Sequence, residues 1–371
     1  MTSPAFTHVA IERAAEIADD VLFPHAQERD RASALPHDGL DALAAGGLFG
    51  IAGPSEFGGL ALDPIGARRV IATVGGGCGA TFFVWVQHHG VVRDIAASDN
   101  AALRDGLIEQ MCAGEVICGT AFAHVRRRGE PAVRATRTPD GWRLDGFAPW
   151  ATSWGIAPRF SIYAVAADGT LVKVMVPGAG RDGDPPGITS IPLHLAVLGS
   201  TGTVALRFDG CEVADGDVIG LDDHSRWLTA DRERSAIGQP ATLGVAERAT
   251  ATMRTIEDDH AQDAANGLAA AIDRAWQRDR QLTGDLVDGV TGDRESWIAT
   301  ASDHRASCLL LAQAATTAAV AAAGGRAMDL DHPGQRLARE ASFYTIQAQT
   351  ADGRAATLRS VTSRVRPRPR D

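Results

Sequence analysis

Up to about residue 112 the apolar positions recur at helical spacing. Ile11, Ala14 and Ile17, followed by Val21 and Leu22, mark one face of a first helix. LDALAAGG reads as a helix stopped by Gly46 and Gly47, and GLFGIAGPSEFGGL as an apolar, glycine-rich loop after it. PIGARRVIATVGG and ATFFVWVQHHGVVRDIAA supply two more helical stretches. Near residue 115 the period falls from about 3.6 residues toward about 2. GWRLDG (141–146), FSIYAVAA (160–167), LVKVMVP (171–177) and TVALRF (203–208) are short runs bounded by Gly, Pro or Asp, and they predict strands. No helical stretch separates them. A mainly antiparallel sheet is therefore expected, because parallel neighbours need connections of roughly a dozen residues or more.

After about residue 225 the helical period returns, rich in alanine. ASDHRASCLLLAQAATTAAVAAAGG ends at Gly324 and Gly325, a common helix stop, and Pro333 suits the first turn of the next helix. The pattern predicts an α+β chain in three parts: an N-terminal helical domain (1–112), a middle antiparallel β domain (113–224) and a C-terminal four-helix bundle with an Arg/Pro tail (225–371).

Composition narrows the function classes. A length of 371 residues suits two or three domains, and 45% hydrophobic with 22% charged residues is the balance of a globular, water-soluble chain. The net charge of −10 argues against nonspecific nucleic-acid binding. Basic charge is almost all arginine, with Lys173 the single lysine. The N-terminus lacks the plan of a signal peptide, and no run of roughly 18 apolar residues offers a membrane span, so a cytoplasmic protein is expected. Cys78, Cys112, Cys118, Cys211 and Cys308 are scattered without C-x-x-C spacing, so neither a zinc site nor a disulfide framework is expected. The tail RVRPRPRD (364–371) should be an extended, solvated end.

FAPWATSWG (147–155) places Trp150 and Trp154 beside Thr152 and Ser153 in a chain only 5% aromatic. Such a stretch can plug an interface, or its indole faces and hydroxyls can grip a flat heteroaromatic ligand. In VQHHG the adjacent His88 and His89 face different sides of a helix, which makes them poor metal partners; H-x-x-x-H spacing is absent. The chain has no G-x-G-x-x-G after a strand, no G-x-S-x-G and no P-loop, so classical nicotinamide binding, serine hydrolysis and nucleotide hydrolysis lack support.

Four segments, in order, resemble motifs of the acyl-CoA dehydrogenases: GLFGIAGPSEFGG (47–59), ICGTAFA (117–123), GWRLDGFAPWATSWGIAPRF (141–160) and GGRAMDLDHPGQRLAREASFYTIQAQT (324–350). The similarity runs through most of the chain. It implies FAD as cofactor, with Trp150 and Thr152 of the W-x-T motif against the flavin ring and Ala151 between them. Gly119 and Thr120 match positions at the flavin's pyrimidine edge, and Thr350 a threonine near the cofactor. Trp154 has no counterpart and reads as packing. The implied substrate is acyl-CoA or a similar thioester, the implied electron acceptor an electron-transferring flavoprotein, and the implied assembly a dimer or tetramer.

The chain also departs from that pattern. Thioester dehydrogenation needs a carboxylate to take the α-proton while a β-hydride goes to flavin. Where the family has the glutamate of "IYEGT", this chain has Ala348 in IQAQT, and a methyl group abstracts nothing. Glu233, next to Arg234, is the alternative base that the resemblance suggests, one residue out of register when counted along a helix from Gly244. The family's "AGSD" is HVRR here, with Arg126 at the serine; Arg126, Arg127 and Arg128 can bind phosphates or form a solvated loop. The family's "R..FG..L...Q" segment is missing, and Ala321 stands at an expected glutamine. Three readings follow: a flavin dehydrogenase using Glu233, a flavin-dependent oxygenase on the same fold, or a non-catalytic partner subunit of a heteromeric pair.

Overall fold

The computed structural model describes residues 4–290 and 292–365. They form two compact units: the described residues up to Asp63 with Cys78–Thr229, and Pro64–Gly77 with the residues from Ala230 on. Of the expected Arg/Pro tail, residues 366–371 lie outside the described residues.

The chain begins with α1 (Pro4–Ile17), α2 (Ala26–Arg31) and α3 (Asp38–Ala45), the last stopped at Gly46, whose N–H returns to the carbonyl of Ala42. α4 (Pro64–Gly77) clusters with the C-terminal residues, whereas α5 (Gly79–Ala96) and α6 (Ala101–Ala113) remain in the first unit. The sheet comprises β1 (Cys118–Ala121), β2 (Val133–Thr138), β3 (Gly141–Ala151), β4 (Arg159–Ala166), β5 (Thr170–Pro177), β6 (Ile188–Pro192), β7 (Val204–Ala214) and β8 (Val218–Asp223). Its order is β6-β7-β3-β2-β4-β5-β8, with β1 beside β4.

Most pairs are antiparallel, as the pattern predicts, but β4 runs parallel to both β1 and β2. The length condition for a parallel pair is met without a helix. The connection from β2 to β4 spans residues 139–158 and contains β3 itself. Alternate residues of the strands, among them Leu144, Phe160, Ile162, Val172, Val174, Leu206 and Phe208, bury one face as a common core. On the opposite face, Cys118 and Met175 pack with Val91, Ile95 and Met111 of α5 and α6.

α7 (His224–Ala236) follows β8. In the second unit α8 (Ala241–Arg254) packs on α4, α9 (Asp259–Val287) and α10 (Arg294–Ala323), and α11 (Pro333–Phe343) and α12 (Ala351–Val365) pack on α10. Pro240 marks the start of α8, so Glu233 lies on a separate helix and a helical count from Gly244 does not reach it. The α4–α8 crossing is tight enough that a Cβ on Gly244 would lie 1.8 Å from the carbonyl oxygen of Ala72. Arg68 of α4 grips Asp279 of α9 through two hydrogen bonds of 2.8 and 2.5 Å. Burial pushes the Asp279 carboxyl up, but His304 and Arg68 outweigh it and hold its pKa at about 2.

The stretch Arg294–Met328 contains no unbroken run of 18 apolar residues but is long and apolar enough to span a bilayer by length and mean composition, a test that the core helix of a globular protein also passes; half of its most apolar window is buried within the protein. The five cysteines are buried and free, and among the described residues no group of three or more His, Cys, Asp or Glu side chains is placed to hold a metal.

Candidate functional site

Pro149 cannot donate to a sheet ladder, so within a strand it belongs at an edge or a bulge. In β3 the register against β7 slips between Ala148 and Ala151, making a bulge that contains Pro149 and Trp150. Ala151 points into the core, and its neighbours Trp150 and Thr152 do not. Trp150 is 51% exposed, which is costly for an indole unless another surface covers it.

Beside it runs a row of hydroxyls. Thr120 of β1 bridges to Thr152 on one side and pairs with Ser161 of β4 on the other. Neither Thr120 nor Ser161 belongs to the core cluster, whereas their neighbours Ala121, Phe160 and Ile162 do, so the hydroxyls share the opposite face. Ser161 Oγ is buried without a hydrogen-bond partner. Thr152 Oγ1 lies 3.0 Å from Thr203 Oγ1, which lies 2.8 Å from Thr201 Oγ1, which donates to the carbonyl of Leu198 at 2.7 Å. The backbone ties the same pieces together, since Ser153 and Trp154 donate to the carbonyls of Thr201 and Gly202. Thr201, Thr203 and Ser161 did not emerge from the sequence. The available signal was STGT (200–203), hydroxyls leading into a strand that pairs with the W-x-T strand.

Trp154 is packing, as expected: it is buried edge-on against Phe160, and its Nε1 donates to Asp184 at 2.8 Å. Gly119 faces inward, where a Cβ would meet the Phe160 ring at 2.4 Å, so packing alone requires glycine there. In the HVRR segment, His124 is buried with Nε2 2.7 Å from the carbonyl of Tyr163, and burial lowers its pKa to about 4. Arg126 stacks over Phe122, and Arg127 and Arg128 are exposed.

His88 has a defined tautomer. Its Nδ1 accepts from the N–H of Cys118 at 3.1 Å, so its Nε2 donates to the carbonyl of Met111 at 3.0 Å. Burial lowers its pKa to about 4, and it serves as a neutral pin between α5, the end of α6 and β1. His89 is buried edge-on against Trp85.

In the second unit, Glu233 on α7 is half-buried and lies 2.9 Å from Nε of Arg294, the first residue of α10. This contact has ion-pair distance without hydrogen-bond alignment, since the same Glu233 oxygen lacks a hydrogen bond. Ala348 takes a left-handed backbone (φ 48°). Buried Arg305 of α10 donates to the carbonyls of Ala348 (2.9 Å), Gln347 (2.6 Å) and Ser235 (3.1 Å), clasping residues 347–348 and the end of α7. Arg305, a lone arginine inside the apolar run of α10, was the sequence's overlooked signal. Thr350 caps α12, accepting from the N–H of Gly353 at 3.2 Å.

Residues 8–115 match the acyl-CoA dehydrogenase N-terminal domain family. The chain is 26% identical over 245 residues to the probable acyl-CoA dehydrogenase fadE25 of Mycobacterium leprae, a match spanning 63% of this chain and 61% of that protein. It is 23% identical over 369 residues to the mitochondrial 2-methylacyl-CoA dehydrogenase of Solanum tuberosum, covering 94% of this chain and 88% of that one. Butyryl-CoA dehydrogenase from Megasphaera elsdenii superposes with a TM-score of 0.79 over 99% of this chain and 100% of its own, at 16% identity, a likeness of fold. Its N-terminal part thus matches the acyl-CoA dehydrogenase N-terminal domain, and the whole chain has the fold of the acyl-CoA dehydrogenases.

Proposed function

We propose that the protein is a flavoprotein oxidoreductase that holds FAD at the W-x-T end of β3 and acts on acyl-CoA or a similar thioester. The observation that carries this reading is the exposed indole of Trp150 two residues before buried Thr152, whose strand neighbours continue the row of buried hydroxyls through Thr120 to Ser161. The residues fit the group: an uncovered aromatic face suits a flat ring, and a row of hydroxyls with the unpartnered Ser161 Oγ suits its polar edge. Bound FAD supplies a two-electron acceptor. Trp150 would cover one ring face, Thr152 and Thr120 would hydrogen-bond the edge, and the backbone of Gly119 and Ala151 would line it. Thr350 stands near the cofactor by family analogy. For proton removal the chain offers Glu233, which must part from Arg294 to act. An electron-transferring flavoprotein as acceptor, a homo-oligomeric assembly and a cytoplasmic site complete the proposal.

Ala348 favours a second reading, a flavin-dependent oxygenase. The segment 344–350, YTIQAQT, contains no carboxylate, and an enzyme whose reduced flavin meets O₂ needs none there. The same loss suits a non-catalytic subunit that depends on a related chain. The visible absorption spectrum of the protein, purified alone after incubation with FAD and gel filtration, separates these. Flavin bands near one equivalent per chain support a stand-alone flavoprotein. A colourless protein removes both enzyme readings and leaves the partner subunit. Bleaching by acyl-CoA supports the dehydrogenase, whereas rapid O₂ consumption by the chemically reduced protein supports the oxygenase.

A further inference from the structure

The hydroxyls of Thr152, Thr203 and Thr201 form a chain with one possible direction. A hydroxyl has one hydrogen to give. Thr201 gives its hydrogen to the carbonyl of Leu198, which can only accept. The bond between Thr201 and Thr203 must then be donated by Thr203. With that hydrogen committed, the bond between Thr203 and Thr152 must be donated by Thr152. Thr152 Oγ1 is left with lone pairs and no hydrogen to offer.

We infer that this relay fixes Thr152 as a hydrogen-bond acceptor, so that the site prefers a ligand edge presenting an N–H, and that Thr201 and Thr203 are the positioning residues that set this polarity. The inference rests on the flavin reading above. The ring nitrogen that takes a proton when the isoalloxazine is reduced is an acceptor in the oxidised form and an N–H donor in the reduced form. A hydroxyl free to rotate serves both. An acceptor-only hydroxyl serves the reduced form and opposes the oxidised one with its lone pairs. The arrangement therefore favours reduced FAD and raises the potential of the bound couple.

The test compares oxidised and reduced FAD affinity, and the two-electron midpoint potential, in wild type, Thr201→Val, Thr203→Val and Thr203→Ser. Thr201→Val is the sharpest variant because it lies two hydrogen bonds from Thr152 and changes nothing on the ligand face. It releases the hydrogen of Thr203 toward Thr152 and thereby frees that of Thr152. Thr203→Val frees it directly, and Thr203→Ser keeps the relay. Either valine variant should bind oxidised FAD about tenfold more tightly with reduced FAD little changed, the worth of roughly one hydrogen bond. The potential should fall by about 30 mV, the equivalent of tenfold for a two-electron couple. The serine variant should match wild type. Wild-type potential and affinities in Thr201→Val, with flavin bound, overturn the relay while leaving the flavoprotein reading intact. A wild-type protein that retains no flavin overturns that reading and the relay's assignment with it. Should Thr203→Val not fold, Thr201→Val against Thr203→Ser still decides.

Discussion

The carboxylate of Glu233 faces Arg294 across 2.9 Å, joining α7 to the start of α10 without a well-aligned hydrogen bond. The Arg294 side chain is 56% exposed and can swing toward solvent, whereas the Glu233 side chain is only 15% exposed. If Glu233 removes the proton, Glu233→Gln should slow acyl-CoA bleaching of the flavin by about 100-fold or more, with flavin content unchanged. Stopped-flow absorbance makes the comparison. Wild-type bleaching in the glutamine variant assigns proton removal elsewhere.

Arg305 supports three backbone carbonyls from a buried position, two of them at residues 347 and 348. Arg305→Met should cost about 3 kcal/mol or more by leaving those groups unpaired. Chemical denaturation measures that cost, and limited proteolysis should show earlier cleavage in residues 344–350. Arg305→Lys should recover only part of the loss, because an ammonium cannot reproduce the guanidinium fork.

The α4–α8 crossing leaves no room at Gly244. Gly244→Ala drives a methyl into a backbone carbonyl, which no side-chain rotation relieves. A loss of about 3 kcal/mol or more is expected, read as a lower unfolding midpoint. An unchanged midpoint would show that the helices can separate freely.

His88 makes stability depend on pH. Burial holds its folded-state pKa at about 4, below the roughly 6.5 of an unfolded histidine. Between those values the unfolded chain binds the extra proton. The stabilisation is therefore complete above about pH 6.5 and is lost as pH falls toward 4, for a total of about 3 kcal/mol. His124, lowered to about 4 mainly by burial, acts in the same direction. Melting temperatures across this range should fall on acidification, with a shallower slope for His88→Gln whatever its absolute stability.

Much of the fold was legible along the chain. Helical periodicity placed the stop of α3 at Gly46 and the end of α10 at Gly324, and alternation exposed β3, β4, β5 and β7. β1 was hidden because CGTA is too short and uniformly buried to alternate. The W-x-T stretch was visible as a candidate because tryptophan is scarce, and Ala348 as a departure because its chemistry is read directly from its identity.

The sequence by itself determined the order of helices, sheet and helices, the W-x-T stretch with its scarce tryptophans and the lack of a carboxylate at position 348. Periodicity and residue type are local properties, so a linear reading recovers them. The tertiary structure alone decided the bulge that exposes Trp150, the parallel docking of β4, the clasp of Arg305 on a loop more than forty residues away, and the one-way bond from Thr152 through Thr203 to Thr201. Each depends on which groups meet across the fold, and a hydroxyl's role as donor or acceptor is settled by its neighbours in space.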